Sequence, residues 1–169
     1  QIEWRGDAAE RFGWLAGMLA GPQGADGPWG RCIGATGIGV LVQRAQHALT
    51  ARGLVTSRVL VEPQDLGQGT LRLTVLPGRI RRARFSDTAA RAPWVMNALP
   101  ARPGDLLNLR DIEQALENLR RAPSVEADME IVPADEPGHS DLVIQWSQRR
   151  PVRLQLSVDD GGSRSTGRY

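Results

Sequence analysis

One pattern recurs in this chain at a spacing of 70 to 71 residues, and that recurrence limits the possible folds more than any other feature. In "GIGVLVQRAQHALTARG" (37–53), Ile38, Leu41, Val42, Ala45 and Leu49 form an apolar stripe at helical spacing. In "NLRDIEQALENLRRAP" (108–123), Leu109, Ile112, Ala115, Leu116 and Leu119 repeat it. A shift of 71 carries Ile38 onto Leu109, Leu41 onto Ile112 and Ala45 onto Leu116. Strands then follow in both copies. "RVLVEP" (58–63) maps onto "DMEIVP" (128–133) at a shift of 70, and "LRLTV" (71–75) onto "LVIQW" (142–146) at 71. Asn108 is a good N-cap with Asp111 in the first turn, and Pro123 stops that helix; Thr36 and Gly53 bracket its counterpart.

Each copy is also preceded by a strand and a further helix. Ile2 to Trp4 leads into "ERFGWLAGMLAG", and Ile80 to Phe85 leads into "APWVMNALPAR". The order strand, helix, helix, strand, strand is an α+β unit with a three-stranded mixed sheet and two helices packed on one face. At 169 residues the chain accommodates two such units, each small enough to gain from the other's support. After them, Val152, Leu154, Leu156 and Val158 alternate with Arg153, Gln155, Ser157 and Asp159, the period of a strand with one apolar face.

Charge argues against a nucleic-acid partner: 21 basic and 19 acidic residues nearly cancel, and every basic residue is Arg. Gly34-x-x-Gly37 has the spacing of an RNA-gripping helix turn, but its middle residues, Ala35 and Thr36, are uncharged, and helix initiation accounts for it. Gly13, Gly17 and Gly21 suit close packing of a helix on a sheet. Cys32 is the lone cysteine, and His47 and His139 have no companion ligands, so neither a metal site nor any other cofactor is expected. Nothing assembles a nucleophile, a base and an oxyanion site. The chain reads as a non-enzyme.

The strings "ARGLVTSRVLVEPQDLGQGTLRLTVLPGRI" and "LNLRDIEQALENLRRAPSVEADMEIVPADEPGHSDLVIQW" resemble the paired POTRA domains of two-partner secretion outer-membrane transporters, the hemolysin-activator and filamentous-hemagglutinin-transporter type. "SVDDGGSRSTGRY" is similar to the first hairpin of that family's barrel. The resemblance implies two tandem POTRA domains at 1–79 and 80–150, and a truncated start of the transmembrane β-barrel at 151–169. It implies an outer-membrane location with this region facing the periplasm. The implied partner is a secreted exoprotein of the family's client type, a hemolysin, adhesin or contact-dependent inhibition toxin, captured in unfolded or extended form through its N-terminal secretion domain and passed through the barrel without ATP. The resemblance also implies that Cys32 pairs with an upstream cysteine in the intact protein. A general outer-membrane insertase, or a non-transport periplasmic scaffold, is the alternative use of such units.

The residues suggest where a client would dock. Val55, Thr56, Ser57, Arg58, Val59, Leu60 and Val61 form a β-prone, lightly charged stretch, whereas its second-copy counterpart carries Glu126, Asp128 and Glu130, a row of like charges that discourages edge pairing. Strand addition along Val55 to Val61, supported by Gln43, Gln46 and His47 on the adjoining helix, is the expected binding mode, with outward main-chain groups expected at Arg58 and Leu60.

Overall fold

The computed structural model describes residues 1–6, 9–86, 101–121, 125–148 and 156–157. The expected second-unit helix at "APWVMNALPAR" lies largely outside the described residues, as does the expected barrel hairpin apart from Leu156 and Ser157. The elements are β1 (Ile2–Arg5), a 3-10 turn (Ala9–Phe12), α1 (Leu15–Met18), α2 (Ala35–Ala51), β2 (Arg58–Leu60), β3 (Leu71–Leu76), β4 (Arg79–Phe85), α3 (Leu109–Arg120), β5 (Val125–Pro133) and β6 (His139–Gln148). They form two three-stranded sheets, ordered β1-β3-β2 and β4-β6-β5. In each, the first strand runs parallel to the last and the middle strand antiparallel to it. The architecture is α+β.

Alternation and helical period place the cores. Leu71, Leu73 and Val75 of β3 turn inward against Leu41, Ala45 and Leu49 of α2, together with Phe12, Leu15 and Leu19. In the second unit Ile112, Ala115 and Leu119 of α3 face Leu142 and Ile144 of β6. Burial thus sets Ala45 equivalent to Ala115 rather than Leu116, so the repeat shift falls to 70 within the helix. The helix expected across "ERFGWLAGMLAG" is instead a 3-10 turn and one α-turn. Gly13 and Gly17 weaken helix propagation there, and α1 has no side-chain N-cap. Arg44 holds the following Gly/Pro-rich loop by donating to the carbonyls of Leu19 at 2.8 Å and Asp26 at 3.0 Å.

The two units are sewn together where α2 ends and α3 begins. The N–H of Leu109 donates to the Gly53 carbonyl at 2.8 Å, and Arg110 Nη2 to the Ala51 carbonyl at 2.9 Å. The C-terminus of α2 therefore meets the N-terminus of α3, each supplying partners that a helix end lacks. Side chains also cross over: Leu106 packs against the first core and Val55 against the second, beside Ile80, Leu107 and Ile112. Gly53 has φ +85°, and a β-carbon there would lie 2.2 Å from Asn108 Oδ1, the atom that caps α3 through the Arg110 N–H. Only glycine fits both demands.

A buried carboxylate fixes the second sheet. Asp141 of β6 is 3% exposed and accepts from Arg81 Nε and Nη2 at 2.8 and 2.9 Å and from Arg82 Nε at 2.9 Å. Consecutive strand residues point to opposite faces, yet both arginines reach one carboxylate because the register slips between Ile80 and Arg82. Hydrogen bonding from Arg81, against the cost of burial and with further help from Arg82, holds the Asp141 carboxyl well below the usual carboxylate range.

Two outcomes follow from the seam and the carboxylate. Gly53→Ala is expected to destabilise the chain by ~1–3 kcal/mol through strain at a positive φ and collision with the α3 cap, read as a lowered midpoint in thermal unfolding. Because the Asp141 carboxyl is depressed in the folded state, its stabilisation is complete above the unfolded value of about 4 and fades as pH falls below it. Tm measured from pH 6 to pH 2.5 is therefore expected to fall more steeply for the parent than for Asp141→Asn, which starts lower at pH 6.

Candidate functional site

β2 is an edge strand of the first sheet, opposite β1, and its main chain decides what can add there. It pairs with β3 through Arg58↔Leu76, Val59↔Val75 and Leu60↔Thr74. Along an antiparallel strand, alternate residues turn both main-chain groups toward the partner or both away. The Val59 N–H donates to Gln46 Oε1 at 3.1 Å on α2, so Val59 faces out. Arg58 and Leu60 consequently face β3 and hold the sheet, contrary to the expectation that theirs are the outward groups. Side-chain alternation shows the period of a strand but not which phase carries its outward hydrogen bonds.

The strand is also shorter than the pattern suggests. Only Arg58–Leu60, three residues, stay in the ladder. Beyond Leu60 the side-chain amide of Gln64 takes over: its Nε2 donates to the Arg72 carbonyl at 2.9 Å and its Oε1 accepts the Arg72 N–H at 2.7 Å. An amide carries both donor and acceptor, as a backbone residue does, so Gln64 fills the place opposite Arg72 while its Nε2 also donates to the Glu62 carbonyl at 3.2 Å. The chain is then free to leave the sheet.

Other residues of the expected site divide between three tasks. Val55 packs into the second core; Ser57 is fully buried, and its hydroxyl accepts the Gly78 N–H at 3.0 Å. Thr56 lies against Gly78, where a β-carbon would come within 2.0 Å of its Oγ. These three belong to the seam. Gln46 spans the edge, with Nε2 donating to the Ser57 carbonyl at 2.9 Å as Oε1 accepts from Val59. Gln43 and His47 stand exposed one turn apart on α2. Leu60 and Val61 are 47% and 38% exposed, large apolar side chains at the end of a short edge strand.

Cys32 is exposed and lines a cleft of about 380 Å³ with Gln1, Ile2, Trp29, Ile33, Leu66 and Leu71. Among the described residues no group of three His, Cys, Asp or Glu side chains is placed to hold a metal.

Comparison with known proteins reaches both units and the segment beyond them. Residues 25–78 match the POTRA domain, ShlB-type, residues 79–133 the POTRA domain, and residues 138–169 the haemolysin secretion/activation protein ShlB/FhaC/HecB family. The chain belongs to the two-partner secretion transporter family. The outer membrane transporter CdiB-2 of Burkholderia pseudomallei (strain 1026b) is 45% identical over 139 residues, covering 82% of this chain and 24% of the relative. The hemolysin transporter protein ShlB of Serratia marcescens is 28% identical over 142 residues, covering 82% and 24%. The solved structure of CdiB from Acinetobacter baumannii superposes with a TM-score of 0.77 at 28% identity over 89% of this chain and 29% of that one. The chain thus spans about a quarter of the length of the curated two-partner secretion relatives it matches. It is the POTRA region of an outer-membrane protein, on the periplasmic side.

The backbone role of Gln64 in this POTRA unit is testable without a client. Gln64→Ala leaves both Arg72 main-chain groups without these bonds and is expected to cost ~1–3 kcal/mol in thermal unfolding, with faster hydrogen exchange at the Arg72 amide. Unchanged exchange there would show that another group takes its place.

Proposed function

We propose that this POTRA pair captures the N-terminal secretion domain of one large exoprotein, in extended form, by strand addition at the β2 edge, and hands it to the barrel for secretion without ATP. The observation that carries the reading is the edge itself: a three-residue strand with Leu60 exposed on it, Val61 exposed just after it and no acidic side chain within Arg58–Leu60. An added strand gains affinity from main-chain bonds and specificity from side chains that meet cross-strand neighbours such as Leu60. The names of the relatives, transporters of the CdiB and hemolysin type, support a secreted protein as the client. A hemolysin, an adhesin or a contact-dependent inhibition toxin fits this reading equally. β5 is the poorer edge because Glu126, Asp128 and Glu130 recur at alternate positions along it.

The test is affinity for a recombinant N-terminal secretion domain of the cognate exoprotein. Leu60→Lys changes an exposed side chain and places on the edge a residue that discourages pairing. It is expected to weaken binding about 5- to 20-fold, equivalent to ~1–2 kcal/mol. Glu130→Gln on the other edge is expected to leave binding unchanged. The reverse result, with Leu60→Lys silent and Glu130→Gln altered, would place the client on the second unit.

A further inference from the structure

The same main-chain pair is closed in both units, by unrelated side chains. In the first unit the Ser57 carbonyl and the Val59 N–H are both taken by the Gln46 amide. Seventy residues on stand Ala127 and Met129. The Ala127 carbonyl accepts from Arg120 Nε at 2.9 Å, and the Met129 N–H donates to Asp128 Oδ1 at 2.9 Å. The helix position matching Gln46 is Leu116 or Glu117, according to the shift used, so neither closing group of the second unit descends from Gln46. One comes from a turn further along α3 and the other from β5 itself. Two solutions at one place mark that pair as the vulnerable point of the fold, since an outward carbonyl and N–H on an edge strand are where another strand begins to pair.

We propose that Gln46 is a displaceable guard on the β2 edge, and that Arg120 with Asp128 is the firmer guard that keeps the β5 edge shut. The inference rests on the reading of β2 as the docking strand. An incoming peptide offers the donor and acceptor that Gln46 supplies, so exchanging one neutral amide for another conserves both bonds. The freed side chain then projects into solvent beside Gln43. Removing Arg120 and Asp128 instead breaks two charge-assisted bonds, roughly twice as strong as neutral ones, and brings the client against Glu126 and Glu130. Gln46 thereby sets the threshold for strand addition and the second-unit guard directs the client to the first unit.

Gln46→Met keeps the stem and removes both bonds; Gln46→Glu keeps the acceptor for Val59 and loses the donor to Ser57. Circular dichroism establishes that each variant is folded. In the free chain, Gln46→Met is expected to speed hydrogen exchange at Val59. With the recombinant N-terminal secretion domain of the cognate exoprotein as probe, Gln46→Met is expected to bind about tenfold tighter than the parent, because no guard must be displaced, and Gln46→Glu to show a smaller gain. In the complexes, Val59 becomes protected from exchange. Unchanged or weaker binding by Gln46→Met, with protection still on β2, overturns the guard and makes Gln46 a strut or a client contact. Protection appearing elsewhere, with all three proteins binding alike, instead sinks the docking-strand reading and the guard with it. If Gln46→Met fails to fold, the Gln46→Glu gain and its exchange pattern decide the matter by the same criteria.

Discussion

The hydrogen bond from the Leu109 N–H to the Gly53 carbonyl stands where the rest of the molecule is joined. Around it, one helix ends against the beginning of the next, and the two cores exchange Leu106 and Val55. Small three-stranded units have little interior of their own, and the exchange lets each bury apolar surface in the other. It also consumes Val55, Thr56 and Ser57 in joining the units, which leaves β2 only a short outward stretch.

That division of labour explains how a short strand can be both stable and available. Gln64 satisfies β3 where the chain departs, and Gln46 satisfies β2 on its open side. Both are side-chain amides standing in for backbone. In the second unit the residue 70 beyond Gln64 is Ala134, which has no amide to offer, and β5 stays paired for nine residues, as far as Pro133↔Ser140. The repeat conserves a fold while single side chains decide how much of each strand is exposed.

Much of this architecture is legible in the sequence because periodicity reports burial. The stripes at Leu41, Ala45 and Leu49 and at Ile112, Ala115 and Leu119 identify both helices, and the alternation of Leu71, Leu73 and Val75 identifies the central strand. Asn108 marks a helix start through a bond to the Arg110 N–H. What the pattern does not carry is the direction of main-chain groups: nothing in "SRVLVEP" states that Val59, not Leu60, turns outward. The broken first helix and the early exit of β2 depend on glycine spacing and on an amide arriving from four residues beyond the strand, both effects of tertiary context.

The two-residue link Pro77–Gly78 between β3 and β4 has a consequence for how such units recombine. Gly78 donates to Ser57 on one side and accepts from Leu107 on the other, so the boundary in sequence is not a boundary in structure. A gene fusion cut there would part Gly53 from Asn108 and leave Val55 facing a foreign core. Exchange between relatives therefore preserves these contacts only when both units travel as a single cassette, or when the fragment containing Gly53 to Ser57 and that containing Leu106 to Arg110 come from the same parent.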